Sequence, residues 1–153
     1  MRKLIFPFAV ALVLAFGNSY AANPAKITTD TTPSVKVIVL TNETFKQKVF
    51  NYDLNKTWKY EGKLPAIIDF YATWCGPCRM LSPLVEEIAK KYDGKIVVYK
   101  VDTDKEPALA QSMGISSLPT LFFIPAKGDP RTSVGALPKE TLEKAVHEVL
   151  LVK

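Results

Sequence analysis

The chain's two cysteines, Cys75 and Cys78, stand two residues apart in FYATWCGPCRM, residues 70–80. Sulfurs at this spacing can crosslink, hold a metal, carry a haem or exchange electrons with other thiols. A structural zinc site takes four ligands, and beyond these sulfurs the chain has a single histidine, His147, so no metal is expected. Haem attachment requires histidine directly after the second cysteine, where Arg79 stands. A structural crosslink remains open, because such bonds persist outside the cytosol. Its loop is very small, however, and small loops yield little entropic stabilisation. A working pair fits the local chemistry better. Cys75 falls at a predicted strand-to-helix junction, where the helix dipole and unpaired N–H groups favour thiolate. Cys78, one turn on, is spaced to attack the sulfur of Cys75 once a mixed disulfide forms. Gly76 is expected to permit a tight turn, Pro77 to suit the first helical turn, and Trp74 to cover the sulfurs while partly exposed.

The elements that must position this pair read from the hydrophobic pattern. VKVIVL (35–40) is a strand, followed by a short helix from Thr44 to about Val49 with Thr41 as N-cap. AIIDFYA (66–72) is too short and apolar for an independent helix and reads as a buried strand. The helix that begins at the cysteines carries Met80, Leu84, Val85, Ile88 and Tyr92 on one expected face and stops at Gly94. KIVVYKVDTD is a strand, EPALAQSMG a short helix, TLFFIP a strand, RTSVGAL an edge strand and PKETLEKAVHEVLLVK a closing helix. The last helix should bury Leu142, Val146, Val149 and Leu150. The order β-α-β-α-β-α-β-β-α implies an α/β fold, with a mixed sheet covered on both faces. The aromatic-rich connection from Asn51 to Pro65 has no legible local structure; it either covers the sheet or extends a docking surface.

Ahead of this domain, Met1-Arg2-Lys3, the apolar run Leu4 to Phe16 and Ser19-Tyr20-Ala21 read as a signal peptide cut after Ala21. Residues 22–33 then form a polar, threonine-rich leader, and the domain occupies 34–153. Export to a periplasm or the exterior follows as an expectation. Cleavage removes Arg2 and Lys3 and lowers the formal charge from +5 to +3. With lysines scattered among acids, this does not amount to a nucleic-acid footprint, and no nucleic-acid partner is expected. Asn42-Glu43-Thr44 fits a glycosylation acceptor, relevant only in a host with that machinery. His147 reads as a surface residue.

The combination of DFYATWCGPCRMLSPLVEEIA, KVDTD, GISSLPTLFFI and VGAL closely resembles the thioredoxin family from Val35 to the C-terminus. Thioredoxin is itself a standard illustration of a thiolate-favouring cysteine. The resemblance implies the thioredoxin fold and disulfide reduction through a redox-active Cys75–Cys78 pair, with no cofactor. It assigns Asp69 as a buried proton acceptor and donor for Cys78, and Lys100 as a neighbour that modulates that carboxylate. Pro119 matches the family's cis-proline, Leu118 the residue whose backbone pairs with substrate, and Gly135 a glycine that leaves room beside the groove. Pro83 matches a proline that kinks the active-site helix. Tyr71 departs from the family's frequent tryptophan. The implied partners are proteins carrying disulfides and a membrane thiol–disulfide electron donor, with a monomer expected. Alternatives are an oxidase or isomerase running the same exchange in the other direction, a cytochrome-maturation reductase, or a non-catalytic binding module.

Overall fold

The computed structural model describes residues 37–152. The expected signal peptide and leader, residues 1–33, lie outside them. The nine elements follow the expected order: β1 Ile38–Val39, α1 Asn42–Lys48, β2 Ala66–Tyr71, α2 Gly76–Lys91, β3 Val97–Asp102, α3 Pro107–Ser112, β4 Thr120–Ile124, β5 Arg131–Val134 and α4 Lys139–Glu148. One sheet holds the strands in the order β1-β3-β2-β4-β5. β3 runs parallel to β1 and β2, while β4 runs antiparallel to β2 and β5. This is the thioredoxin fold, a mixed sheet flanked by helices on both faces.

Strand parity divides the core in two, because successive side chains leave a strand on opposite faces. On one face Ile67, Val98, Leu121 and Phe123 pack against Leu81, Val85 and Ile88 of α2 and Leu142 and Val146 of α4. On the other, Ala66, Ile68, Phe70, Tyr99, Val101, Phe122 and Ile124 meet Phe45 of α1 and Leu109 of α3. Asp69 shares parity with Ile67, and Lys100 with Val98. The β2/β3 register pairs Asp69 with Lys100, so both belong to the face under α2.

Local chemistry accounts for the element boundaries. Thr41 caps α1 with a full capping box: its Oγ1 accepts from the Thr44 N–H, and the Thr44 hydroxyl oxygen accepts from the Thr41 N–H. This starts the helix at Asn42, two residues before the expected opening. Pro77 occupies the first turn of α2, where an N–H would lack a helical partner. The helix then continues through Pro83. The connection from Asn51 to Pro65 covers the sheet: Tyr52, Trp58 and Tyr60 pack on the α1/α3 core, and Trp58 lies 4.8 Å from Phe50 between ring centroids.

The expected α2 stripe needs one correction. Val85, Ile88 and Tyr92 are buried, but Met80 is 66% exposed and Leu81 is fully buried in its place. Leu81, Val85, Ile88 and Tyr92 follow the helical repeat from a start one residue later, which rotates Met80 toward the surface. Leu81→Ala should therefore lower the unfolding free energy by about 2–5 kcal/mol, whereas Met80→Ala should change it by about 0.5 kcal/mol or less. Urea denaturation of the two oxidised variants checks this, and equal losses would contradict the assigned helix face.

Candidate functional site

The two sulfurs sit where β2 ends and α2 begins. Cys75 is the N-cap of α2, and Cys78 lies in its first turn. They form a disulfide with an S–S distance of 2.05 Å and a Cα–Cα separation of 5.3 Å. The Cys78 N–H donates to Cys75 Sγ at 3.2 Å, so the sulfur takes a role usually filled by a capping oxygen. There is no acidic side chain in the first turn of α2 to oppose negative charge there. When the bond is reduced, the helix N-terminus therefore favours thiolate on Cys75. Both cysteines are buried against Ala72, with Tyr71 and Leu118 packed alongside.

Trp74 is 69% exposed, and its indole N–H donates to Asp104 Oδ2 at 2.9 Å, so the ring is tethered across to the loop after β3. Residues around Asp104 gave no sequence signal for this contact, which depends on β3 lying beside β2. Gly76 begins α2 without a left-handed backbone, and a Cβ added there would meet nothing closer than Arg79 Nη2 at 3.9 Å. The backbone at Gly76 is thus one that other residues also adopt.

Opposite the disulfide, the Leu118–Pro119 bond is cis, as the resemblance implied and against the preference of most X–Pro bonds. Pro119 O accepts from the Gly135 N–H at 2.8 Å, which braces the loop after β5 against it. Gly135 has φ of 91° and space around an added Cβ. Its positive φ therefore favours glycine there on conformational grounds.

Asp69 has no exposed surface, and neither carboxyl oxygen has a hydrogen-bond partner. Desolvation pushes its pKa from the ordinary 3.8 up to about 6, while the Lys100 charge pulls it partly back down. The Lys100 ammonium lies 3.9 Å from Asp69 Oδ2, beyond hydrogen-bond reach. It instead donates to Ser82 Oγ at 2.5 Å and sits 4.7 Å from the centroid of the Tyr71 ring. The Lys100 side chain is only 14% exposed. Ser82 was missed in the sequence, although it lies four residues after Cys78 and thus on the same helical face. A cavity of about 240 Å³ is lined by Tyr71, Ala72, Thr73, Cys78, Arg79 and Ser82. His147 lies apart from all of this on α4, exposed and hydrogen-bonding to the Tyr92 hydroxyl and to Val152 O.

A sequence model of the family described as Thioredoxin matches residues 36–148. The chain is 51% identical over 111 residues to a thioredoxin of Borreliella burgdorferi, covering 72% of this chain and 95% of that one. It is 43% identical over 111 residues to thioredoxin 1 of a Nostoc species, covering 72% and 94%. Among solved structures, a chloroplastic thioredoxin z aligns with a TM-score of 0.65 at 28% identity, over 76% of this chain and 96% of that one. A thioredoxin of Malassezia sympodialis aligns with a TM-score of 0.60 at 34% identity, over 74% and 90%.

The raised pKa of Asp69 has a stability signature. Between its ordinary value of 3.8 and its folded value of about 6, the folded state binds more protons than the unfolded state. Stability therefore falls as pH rises through that window and stays lowered above it. A shift of about two units corresponds to about 3 kcal/mol at about 1.4 kcal/mol per unit. Asp69→Asn should raise the unfolding free energy of the oxidised protein by about that amount at about pH 8 and far less at about pH 3.5. Urea denaturation at both pH values measures the difference, and a gain independent of pH would contradict it.

Proposed function

This chain belongs to the thioredoxin family, and from that premise we propose that it reduces disulfides of exported proteins. It is a thiol–disulfide oxidoreductase that works by dithiol–disulfide exchange, and proteins of this family act on protein disulfides. The observation that carries the reading is the Cys75–Cys78 disulfide at the N-terminus of α2.

In the reductase direction, the Cys75 thiolate attacks one sulfur of a substrate disulfide. The other substrate sulfur leaves as a thiolate and takes a proton from water. Cys75 is then joined to substrate in a mixed disulfide. Asp69 accepts the proton of Cys78, whose sulfur attacks Cys75 Sγ. The mixed disulfide breaks, the second substrate thiolate leaves and is protonated, and two electrons have passed from the cysteine pair to substrate. Exchange ends with Cys75–Cys78 oxidised. Leu118, beside cis-Pro119, offers backbone to an extended substrate segment in the manner of an added strand, and Gly135 braces that edge. Trp74 and Lys100 modulate the site, while Gly76 and Pro77 form the stiff link between the sulfurs.

The Gly76-Pro77 dipeptide between the cysteines and the thioredoxins among the relatives favour reduction over oxidation or isomerisation. The signal-like residues 1–21 support an exported compartment for this chemistry. There a membrane thiol–disulfide carrier must restore the dithiol, because the surroundings favour disulfides.

Cys75→Ser should reduce insulin disulfides no faster than buffer containing the same reductant. Activity equal to the wild type would sink the enzymatic reading and leave a binding module. Cys78→Ser should instead accumulate a mixed disulfide with substrate, visible on a non-reducing gel. Thiol trapping in the native compartment should find the pair partly reduced, and oxidised once the membrane donor is deleted. A pair oxidised in both cases would overturn the reductase direction.

A further inference from the structure

Lys100 is almost enclosed, and three groups compete for its ammonium: Ser82 Oγ at 2.5 Å, Asp69 Oδ2 at 3.9 Å and the Tyr71 ring at 4.7 Å to its centroid. The neutral hydroxyl holds the only one of these contacts within hydrogen-bond distance, although an ion pair with a carboxylate would normally be stronger. A serine within a helix commonly bonds back to the carbonyl one turn earlier. Ser82 instead reaches across to β3, from the helix that carries Cys78.

We propose that Ser82 is a positioning residue for the exchange reaction: its hydroxyl holds the Lys100 ammonium out of hydrogen-bond contact with Asp69, leaving that carboxyl free to take up and return a proton. This rests on the proton role given to Asp69 above. Direct contact with the ammonium would stabilise the carboxylate and remove its capacity to hold a proton near neutrality. Too distant an ammonium would leave the carboxylate too costly to form in a buried site. The 3.9 Å separation lies between these limits.

The other groups at this position do not offer an equivalent restraint. Tyr71, on the same strand as Asp69, presents its ring to the ammonium. Asp102, further along β3, pairs with Lys105 at 3.5 Å. Arg79 on α2 turns its guanidinium to Thr73 O at 3.3 Å. The register partner of Asp69 on β4 is the uncharged Leu121. From α4, Leu142 and Val146 complete the packing of this face.

Removing the hydroxyl leaves an ammonium without its acceptor beside a carboxylate without a donor, and the two should close together. The test follows the Asp69 carboxyl by carbon NMR in the oxidised protein as pH is varied. Ser82→Ala should lower its titration midpoint by about one unit, a tenfold change in its ionisation constant, and Ser82→Thr should restore it. In a Lys100→Met background, Ser82→Ala should have no effect on the midpoint. The acid limb of the pH profile for insulin reduction should move with the carboxyl. An unmoved or raised midpoint in Ser82→Ala overturns the assignment of Ser82, whatever the rates do. A lowered midpoint with an unmoved rate profile overturns instead the proton role of Asp69, and with it the link between Ser82 and the reaction.

Discussion

Asp69 brings an ionisable carboxyl into an interior where an unpartnered charge costs several kcal/mol, and no hydrogen bond offsets that cost. Its neighbours on β2, Ile67, Ile68 and Phe70, are fully buried, so the strand cannot turn the carboxyl to solvent without exposing them. A one-residue slip would send every side chain of the strand to the opposite face. The carboxyl is therefore held beneath α2 by the same packing that makes β2 the centre of the sheet. The fold accepts a local destabilisation and retains a group that can change protonation near neutral pH.

The helix above it joins chemistry to the core. α2 begins at the disulfide, presents Cys78 and Ser82 on one side, and fills the space over the sheet with Leu81, Val85 and Ile88. Because these residues share a rigid helix, the packing that stabilises the domain also fixes the sulfurs relative to the Lys100 ammonium. The second half of the site comes from the antiparallel part of the sheet. Pro119 precedes β4, Gly135 follows β5, and the hydrogen bond between them closes the edge opposite the cysteines. A reactive pair placed at a helix start is thus enclosed by elements distant in sequence, and its access is determined by how those elements meet.

The element order, both reactive cysteines and the capping of α1 were legible in the amino-acid sequence, since each depends on residues within a few positions of one another. Strand periodicity, the Thr41–Thr44 pair and the Cys75–Cys78 spacing are local features of that kind. The family resemblance extended this to Asp69, Lys100 and Pro119, which composition and spacing alone would not connect. Met80 was assigned to the wrong side of α2 because a long apolar side chain satisfies a periodic pattern that is shifted by one residue. The Asn51–Pro65 connection was unreadable because its aromatic rings acquire their positions only from the core they cover.

Local sequence accounts for the chemistry available: two sulfurs one helical turn apart, a carboxyl in an apolar strand and a proline after Leu118. Which groups meet depends on the long-range packing of the domain. The β2/β3 register set Asp69 beside Lys100, the packing of α2 delivered Ser82 to the ammonium, and the neighbouring strands brought Asp104 to Trp74 and Gly135 to Pro119. Each of these contacts joins residues at least 16 positions apart, and they are set by strand register and helix packing over the whole domain rather than by any local pattern.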